Sequence, residues 1–340
     1  MIVKDEEEVL ARALSCAKRF ADEIIVVDTG SSDNSADIAK KCGATVSFFE
    51  WIDDFSAARN FSFSLATCDY IMWLDADDVV EEDSAQKIRA LISGEQFDVA
   101  MMPYVNGSMR YMRERIVRRA MNFLWSDPVH EVITPRGKVV TCPAEVVHKK
   151  QKQGNPLRNL SIYQKLIARG ISLSERQKFY YGRELFYNKM YRQSAAVLTH
   201  FLAGDGWAVN KAEACRTLYF CYKNLGDDAS ALAALLHSFL YVTPRAQDCC
   251  ILADEMSGRG DYALAKYWYL RAIDGEEREE DGGFFLPEYS TVYPMLGLVV
   301  AFDRLGDRET ARYWNDRVGL LCPDHPSYIY NKNYFKSLAT

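Results

Sequence analysis

The sequence predicts two architectures in one chain: an α/β domain over residues 1–150 and an all-α helical-repeat domain over residues 156–340. Three observations predict this. Short β-branched apolar runs alternate with helix-patterned stretches up to about residue 148, as expected for a mixed, mostly parallel sheet covered on both faces. The stretch Lys149–Pro156 is polar, basic and broken by Gly and Pro, which marks a boundary. Beyond it strand patterns stop, and Ala, Leu and aromatic residues recur at helical spacing.

The elements follow in order. Met1–Lys4 is a first strand, and Ile24–Val27 is wholly apolar and β-branched, which suits a strand buried on both faces. Thr29–Asp33 supplies a turn and a helix cap, Ser35–Cys42 the helix, and Gly43 its end. Strands are expected at Thr45–Phe49, Tyr70–Leu74 and Phe97–Met102, with helices at Ser56–Ala66 and Ser84–Ile92. Arg113, Arg115, Arg118 and Arg119 read as a solvated strand face, with one of them available to a diphosphate. In the second half a Gly-Asp turn precedes an Ala by five residues three times: Gly226-Asp227 with Ala231, Gly260-Asp261 with Ala265, and Gly306-Asp307 with Ala311. A weaker copy is Asn188–Tyr191 with Ser194. The first two turns are 34 residues apart, the tetratricopeptide period; the next interval is 46, which places an insertion at Glu276–Pro287.

Bulk properties narrow the class. At 340 residues the chain is long enough for two cores. A formal charge of -6 argues against general nucleic-acid binding, which depends on basic surface. Nine scattered cysteines without a Cys-x-x-Cys pair predict a reducing compartment, with neither a disulfide framework nor a zinc ribbon. The start lacks a basic n-region with an apolar run, and Met295–Phe302 is too short to span a bilayer. A soluble cytoplasmic protein is the expectation.

The chemistry concentrates in Asp75-Ala76-Asp77-Asp78, directly after an apolar strand. Carboxylates one residue apart on a turn aim at one point and suit Mg²⁺ or Mn²⁺ that also holds phosphate oxygens. Asp28 ends an earlier buried strand, where a carboxylate accepts hydrogen bonds from a base or ribose, or caps the next helix. Taken with Met1–Glu7, Val27–Ser35, Phe55–Asn60 and Trp73–Asp78, in this order and spacing, the first half resembles a family 2 glycosyltransferase of GT-A fold.

The resemblance implies that Glu6, Asp28, Arg59, Asp75 and Ala76 line the nucleotide-sugar pocket, and that Asp75, Asp77 and His148 hold a divalent metal, Mn²⁺ or Mg²⁺. Val129-His130-Glu131 resembles the acceptor-side acid or base; Glu131 is the expected base and His130 the alternative. It implies a single displacement with inversion from a nucleotide-diphosphate sugar, expected to be a UDP-sugar. The joined repeats are similar to those of bacterial peptide and protein glycosyltransferases such as bacteriocin S-glycosyltransferases, which implies a peptide or protein acceptor held by the repeats. The alternatives are an enzyme of cell-wall or surface polysaccharide synthesis, whose repeats form a homodimer, and a non-catalytic scaffold. Lys149, Lys150 and Lys152 read as a linker, or as a tail closing on the donor.

Overall fold

Val26 and Val27 have no exposed surface and centre β2 (Ile25–Asp28), the middle strand of a three-stranded parallel sheet with β1 (Ile2–Val3) and β3 (Thr45–Phe48). Leu10 and Leu14 of α1 (Leu10–Ala17) and Ala39 of α2 (Ser35–Lys41) cluster with Val26, so the fully apolar run is covered. The computed structural model describes residues 1–94, 96–149, 154–275 and 282–338. Lys150 and Lys152, and the first part of the expected insertion, lie outside them.

Two loops are latched at the ends of these strands. Asp5, in the left-handed region at φ 55°, accepts from the Ser32 N–H, and the Glu6 N–H donates to Ser35 Oγ. Asp28 Oδ1 accepts from the N–H groups of Gly30 and Ser31, at 2.8 and 2.7 Å.

A second, six-stranded sheet runs in the order β4 (Tyr70–Met72), β7 (Met109–Arg118), β6 (Val99–Asn106), β11 (Val146–His148), β5 (Asp78–Val79), with β10 (Val139–Thr141) also on β6. Only β10 and β11 pair in parallel with β6; β4–β7, β6–β7 and β5–β11 are antiparallel. The carboxylate-bearing turn therefore follows a strand paired antiparallel, not a parallel one. Because β7 lies inside the sheet, the reading of Arg113, Arg115 and Arg118 as a solvated face is corrected: Arg115 has no exposed surface, and of the four only Arg119, just past the strand, is exposed. A register shift between Ala100 and Met101 makes Arg115 the extra residue of a β-bulge, which turns its side chain inward. Leu74, Val80, Ile88, Phe97, Met102, Ile116 and Val146 form the core on which α4 (Glu82–Ile92) packs. Helix α3 (Phe55–Ser64) starts at Asp54, whose side chain accepts from the Ala57 N–H. β8 (Trp125–Ser126) and β9 (Val132–Ile133) form a small antiparallel pair.

The chain divides into two compact units, Met1–Gly204 and Asp205–Thr340. The composition change near residue 150 falls inside the first. Helices α5 (Arg158–Ala168) and α6 (Glu175–Tyr187) belong to it, and Ile162 and Tyr163 pack with Val129, Trp51 and Phe55 in one cluster. Helix α7 (Tyr191–Leu202) completes this unit and pairs with α6.

The second unit is all helical among its described residues: α8 (Ala208–Leu225) with α9 (Asp228–His237), α10 (Ala246–Gly258) with α11 (Tyr262–Asp274), α12 (Val292–Arg304) with α13 (Arg308–Leu321), and α14 (Pro326–Ser337). Each predicted Gly-Asp turn joins one pair. Gly226, Gly260 and Gly306 take φ of 77°, 80° and 88°, the left-handed helix end that favours glycine. Asp227, Asp261 and Asp307 cap the next helix, and Ala231, Ala265 and Ala311 are fully buried where the helices meet. In the weaker copy Lys189 takes the left-handed position at φ 61°, and buried Ser194 donates to the Gly182 carbonyl.

Candidate active site

A cavity of about 820 Å³ opens in the first unit, walled by the loop after β1, the Trp73–Asp77 turn, Arg113, the Val129–Glu131 loop and His148. The four residues from Asp75 to Asp78 serve different purposes around it. Asp78 is fully buried: Oδ1 accepts from Tyr104 O–H at 2.9 Å, and Oδ2 from Arg115 Nη1 and the Asp75 N–H, each at 3.1 Å. The Arg115 guanidinium lies 3.6 Å from the Trp73 ring centroid. This pair fixes the turn from beneath.

Asp75 and Glu131 are bridged by Arg59, with Nη2 2.7 Å from Asp75 Oδ1 and Nε 2.6 Å from Glu131 Oε1. Burial pushes the Asp75 carboxyl up, but Arg59, Arg115 and Arg113 outweigh it and bring it down to about 2. Burial pushes Arg59 down, and the two carboxylates outweigh it, so the guanidinium stays charged. Its plane is flanked by Trp73 at 5.0 Å and Trp125 at 4.9 Å. Arg59 is thus a buried strut, 7% exposed.

His148 faces Asp78 across the β5–β11 pairing. That register brings its Nδ1 to 3.3 Å from Asp77 Oδ1 and 3.4 Å from Asp78 Oδ1. The close Asp77 and Asp78 carboxylates outweigh burial and push the imidazole up to about 9. Nδ1 is buried without a well-directed hydrogen bond, and ligand atoms of Asp77, Asp78 and His148 lie within 4.8 Å of one another. Two carboxylates and an imidazole fit a divalent cation of intermediate hardness. Asp78 already spends both oxygens on Tyr104 and Arg115, so Asp77 and His148 are the members with capacity left.

Residues 1–150 match the family model described as glycosyl transferase family 2. They are a family 2 glycosyltransferase domain. A TPR repeat-containing protein of Synechococcus elongatus is 37% identical over 137 residues, covering 39% of this chain and 34% of that protein. Glycosyltransferase SunS of Bacillus subtilis is 32% identical over 111 residues, covering 31% of this chain and 26% of SunS. An uncharacterized glycosyltransferase of Rickettsia typhi is 32% identical over 98 residues, covering 29% and 33%. The chain spans about a third or less of the length of these relatives. Among solved structures, S. aureus TarS superposes with a TM-score of 0.41 at 12% identity, over 68% of this chain and 54% of that one. MamA does so with a TM-score of 0.37 at 17% identity, over 47% and 79%. Likenesses this distant carry no argument about function.

The glycosyltransferase domain brings most of the sequence-predicted residues together. Glu6, Arg59, Asp75, Ala76, Asp77, His130, Glu131 and His148 all line the cavity. Asp28 does not: it sits behind Thr29, and one of its oxygens holds the next turn. Asp75 turns to Arg59, and Asp78, absent from the predicted metal set, takes its place beside Asp77 and His148. His130 is tied to α6 through one edge of its ring: its Nε2 lies 2.8 Å from Glu184 Oε1, and the ring stacks on Tyr180 at 4.2 Å. Sequence reading missed Tyr104 and Glu184, and it gave neither Trp73 nor Arg115 a part in holding Asp78. Arg115 reaches Asp78 only because of the bulge, and Glu184 lies beyond the expected boundary. No described helix is long and apolar enough to cross a membrane.

Proposed function

We propose that the family 2 domain transfers a sugar, with inversion, from a nucleotide-diphosphate sugar, expected to be a UDP-sugar, to a peptide or protein acceptor held by the helical repeats. The observation that carries the transfer is the Asp77–Asp78–His148 group beside a cavity whose other wall is the Asp75–Arg59–Glu131 bridge. Mn²⁺ or Mg²⁺ held by Asp77 and His148 would offset negative charge on the departing diphosphate. Arg59 keeps Asp75 ionised and fixed at the rim, where it accepts donor hydroxyls. Arg113, held by Glu114 at 3.0 Å, presents a cation to the same cavity. Glu131 and His130, adjacent on one loop, supply the base for the acceptor. The polypeptide acceptor is supported by the stacked helix pairs of the second unit, since such arrays offer extended grooves, and by the likeness to a TPR repeat-containing protein.

The test is Asp77→Ala in the full chain, read by UDP release from UDP-sugars with Mn²⁺ and by transfer to a peptide library. Loss of both in a folded variant is expected. Undiminished turnover by folded Asp77→Ala would sink the assignment.

A further inference from the structure

We propose that His130 is the base of this domain and that Glu184, on helix α6, is its positioning residue; the proposal rests on the glycosyl-transfer reading above. The loop between β8 and β9 carries two residues in the left-handed region, Asp127 at φ 73° and His130 at φ 55°. That conformation is uncommon for non-glycine residues, though Asp and His adopt it more readily than most. Here α6 braces it at each residue. Arg176 Nη2 donates to the His130 carbonyl at 3.0 Å, and its Nε lies 3.2 Å from Asp127 Oδ2. Gln177 Nε2 donates to Asp127 Oδ1 at 2.7 Å. Tyr180 stacks on the imidazole with 14° between the planes. These contacts exceed what is needed to close a turn; they fix the orientation of one ring.

Glu184 then sets which nitrogen of that ring carries hydrogen. The residue is 6% exposed, and its carboxylate accepts from Asn159 Nδ2 at 3.0 Å as well as approaching His130 Nε2. Burial pushes its carboxyl up, but the bonds from His130 and Asn159 outweigh this and hold it below the usual range. An ionised carboxylate only accepts, so Nε2 must be the donor. The neutral ring therefore keeps its lone pair on Nδ1, which no described residue engages, on a side chain that lines the cavity and is 31% exposed. Glu131 differs: its Oε1 is 2.6 Å from a buried guanidinium, and proton uptake there would cost that ion pair. A carboxylate orienting an imidazole that faces the nucleophile is a general arrangement for base catalysis. In the step, the acceptor X–H gives its proton to Nδ1. The X lone pair forms the bond to the anomeric carbon, and the carbon–oxygen bond to the diphosphate breaks with its pair leaving on the nucleotide. The groups around His130 are Glu184, Asn159, Arg176, Tyr180, Asp127 and Glu131.

The experiment uses the full chain, UDP-glucose and UDP-N-acetylglucosamine as donors, Mn²⁺, and water as acceptor. Glu184→Gln is expected to lower kcat for UDP release about 100-fold while the donor KM stays within about twofold. Glu184→Asp is expected to restore part of the loss. Long-range ¹H–¹⁵N spectra of His130 should show hydrogen on Nε2 in the wild type and a tautomer mixture in Glu184→Gln. Hydrogen on Nδ1 in the wild type overturns the proposal. So does wild-type kcat in Glu184→Gln, or a fall shared equally by kcat and donor binding, which would make α6 a support only. A wild-type chain that shows the Nε2–H tautomer but releases no UDP from any donor overturns the functional reading itself and leaves the pair structural.

Discussion

Replacing Asp78 by Ala should destabilise the first unit far more than replacing its neighbour Asp77. Asp78 and Arg115 are both fully buried and 3.1 Å apart. Removing one partner of such a pair strands the other charge in a dry interior, at about 3–5 kcal/mol. Tyr104 loses its acceptor as well, adding about 1 kcal/mol. Against a total stability of about 5–15 kcal/mol this is a large fraction. For a unit of this size about 2–4 °C of melting temperature goes with each kcal/mol, so roughly 8–24 °C should be lost. Asp77, 22% exposed at its side chain, leaves no fully buried charge stranded when it is removed, so its Ala variant should lose clearly less stability than Asp78→Ala. The assay is scanning calorimetry of both variants without metal. Pairing Asp78→Ala with Arg115→Met should recover part of the loss, because an apolar replacement of a whole buried pair is often neutral. Equal melting of Asp78→Ala and wild type would refute the division of labour drawn between these two aspartates.

Other expectations follow from the same geometry. Because Asp77 and Asp78 push His148 up to about 9, a metal must displace its proton, and apparent Mn²⁺ affinity should rise about tenfold per pH unit below pH 9; calorimetry in buffers of different ionisation enthalpy should detect the released proton. Without metal the sign is opposite: the His148 proton stabilises the fold fully below about pH 6.5, and that contribution is lost as pH rises through 9. A fragment ending at Asn155 should fail to fold stably, since Val129 packs on Ile162 and Tyr163, whereas residues 1–204 should fold and hydrolyse donor but transfer poorly to a peptide; equal transfer by 1–204 and the full chain would remove the repeats from acceptor binding. Gly182→Ala drives a Cβ into the Leu198 side chain, and urea unfolding should show a loss of about 1–3 kcal/mol despite the better helix former.

Local chemistry determined much of this protein from sequence alone. The apolar run before Asp28 had to be a covered strand, and the three Gly-Asp turns had to end one helix and cap the next, because glycine's left-handed φ and an aspartate cap act within five residues. The gathering of Asp75, Asp77 and His148 at one cavity followed from the family resemblance, which the intact order of the motifs carries. What only tertiary structure decided is how these residues divide the work. A bulge in β7 sends Arg115 to Asp78, one register of β5 on β11 sets His148 opposite that aspartate, and Arg59 reaches across from α3 to join Asp75 to Glu131. Likewise α6, distant in sequence, holds the His130 loop. Each depends on a side chain meeting one more than a dozen residues away, and periodicity and spacing report only on neighbours along the chain.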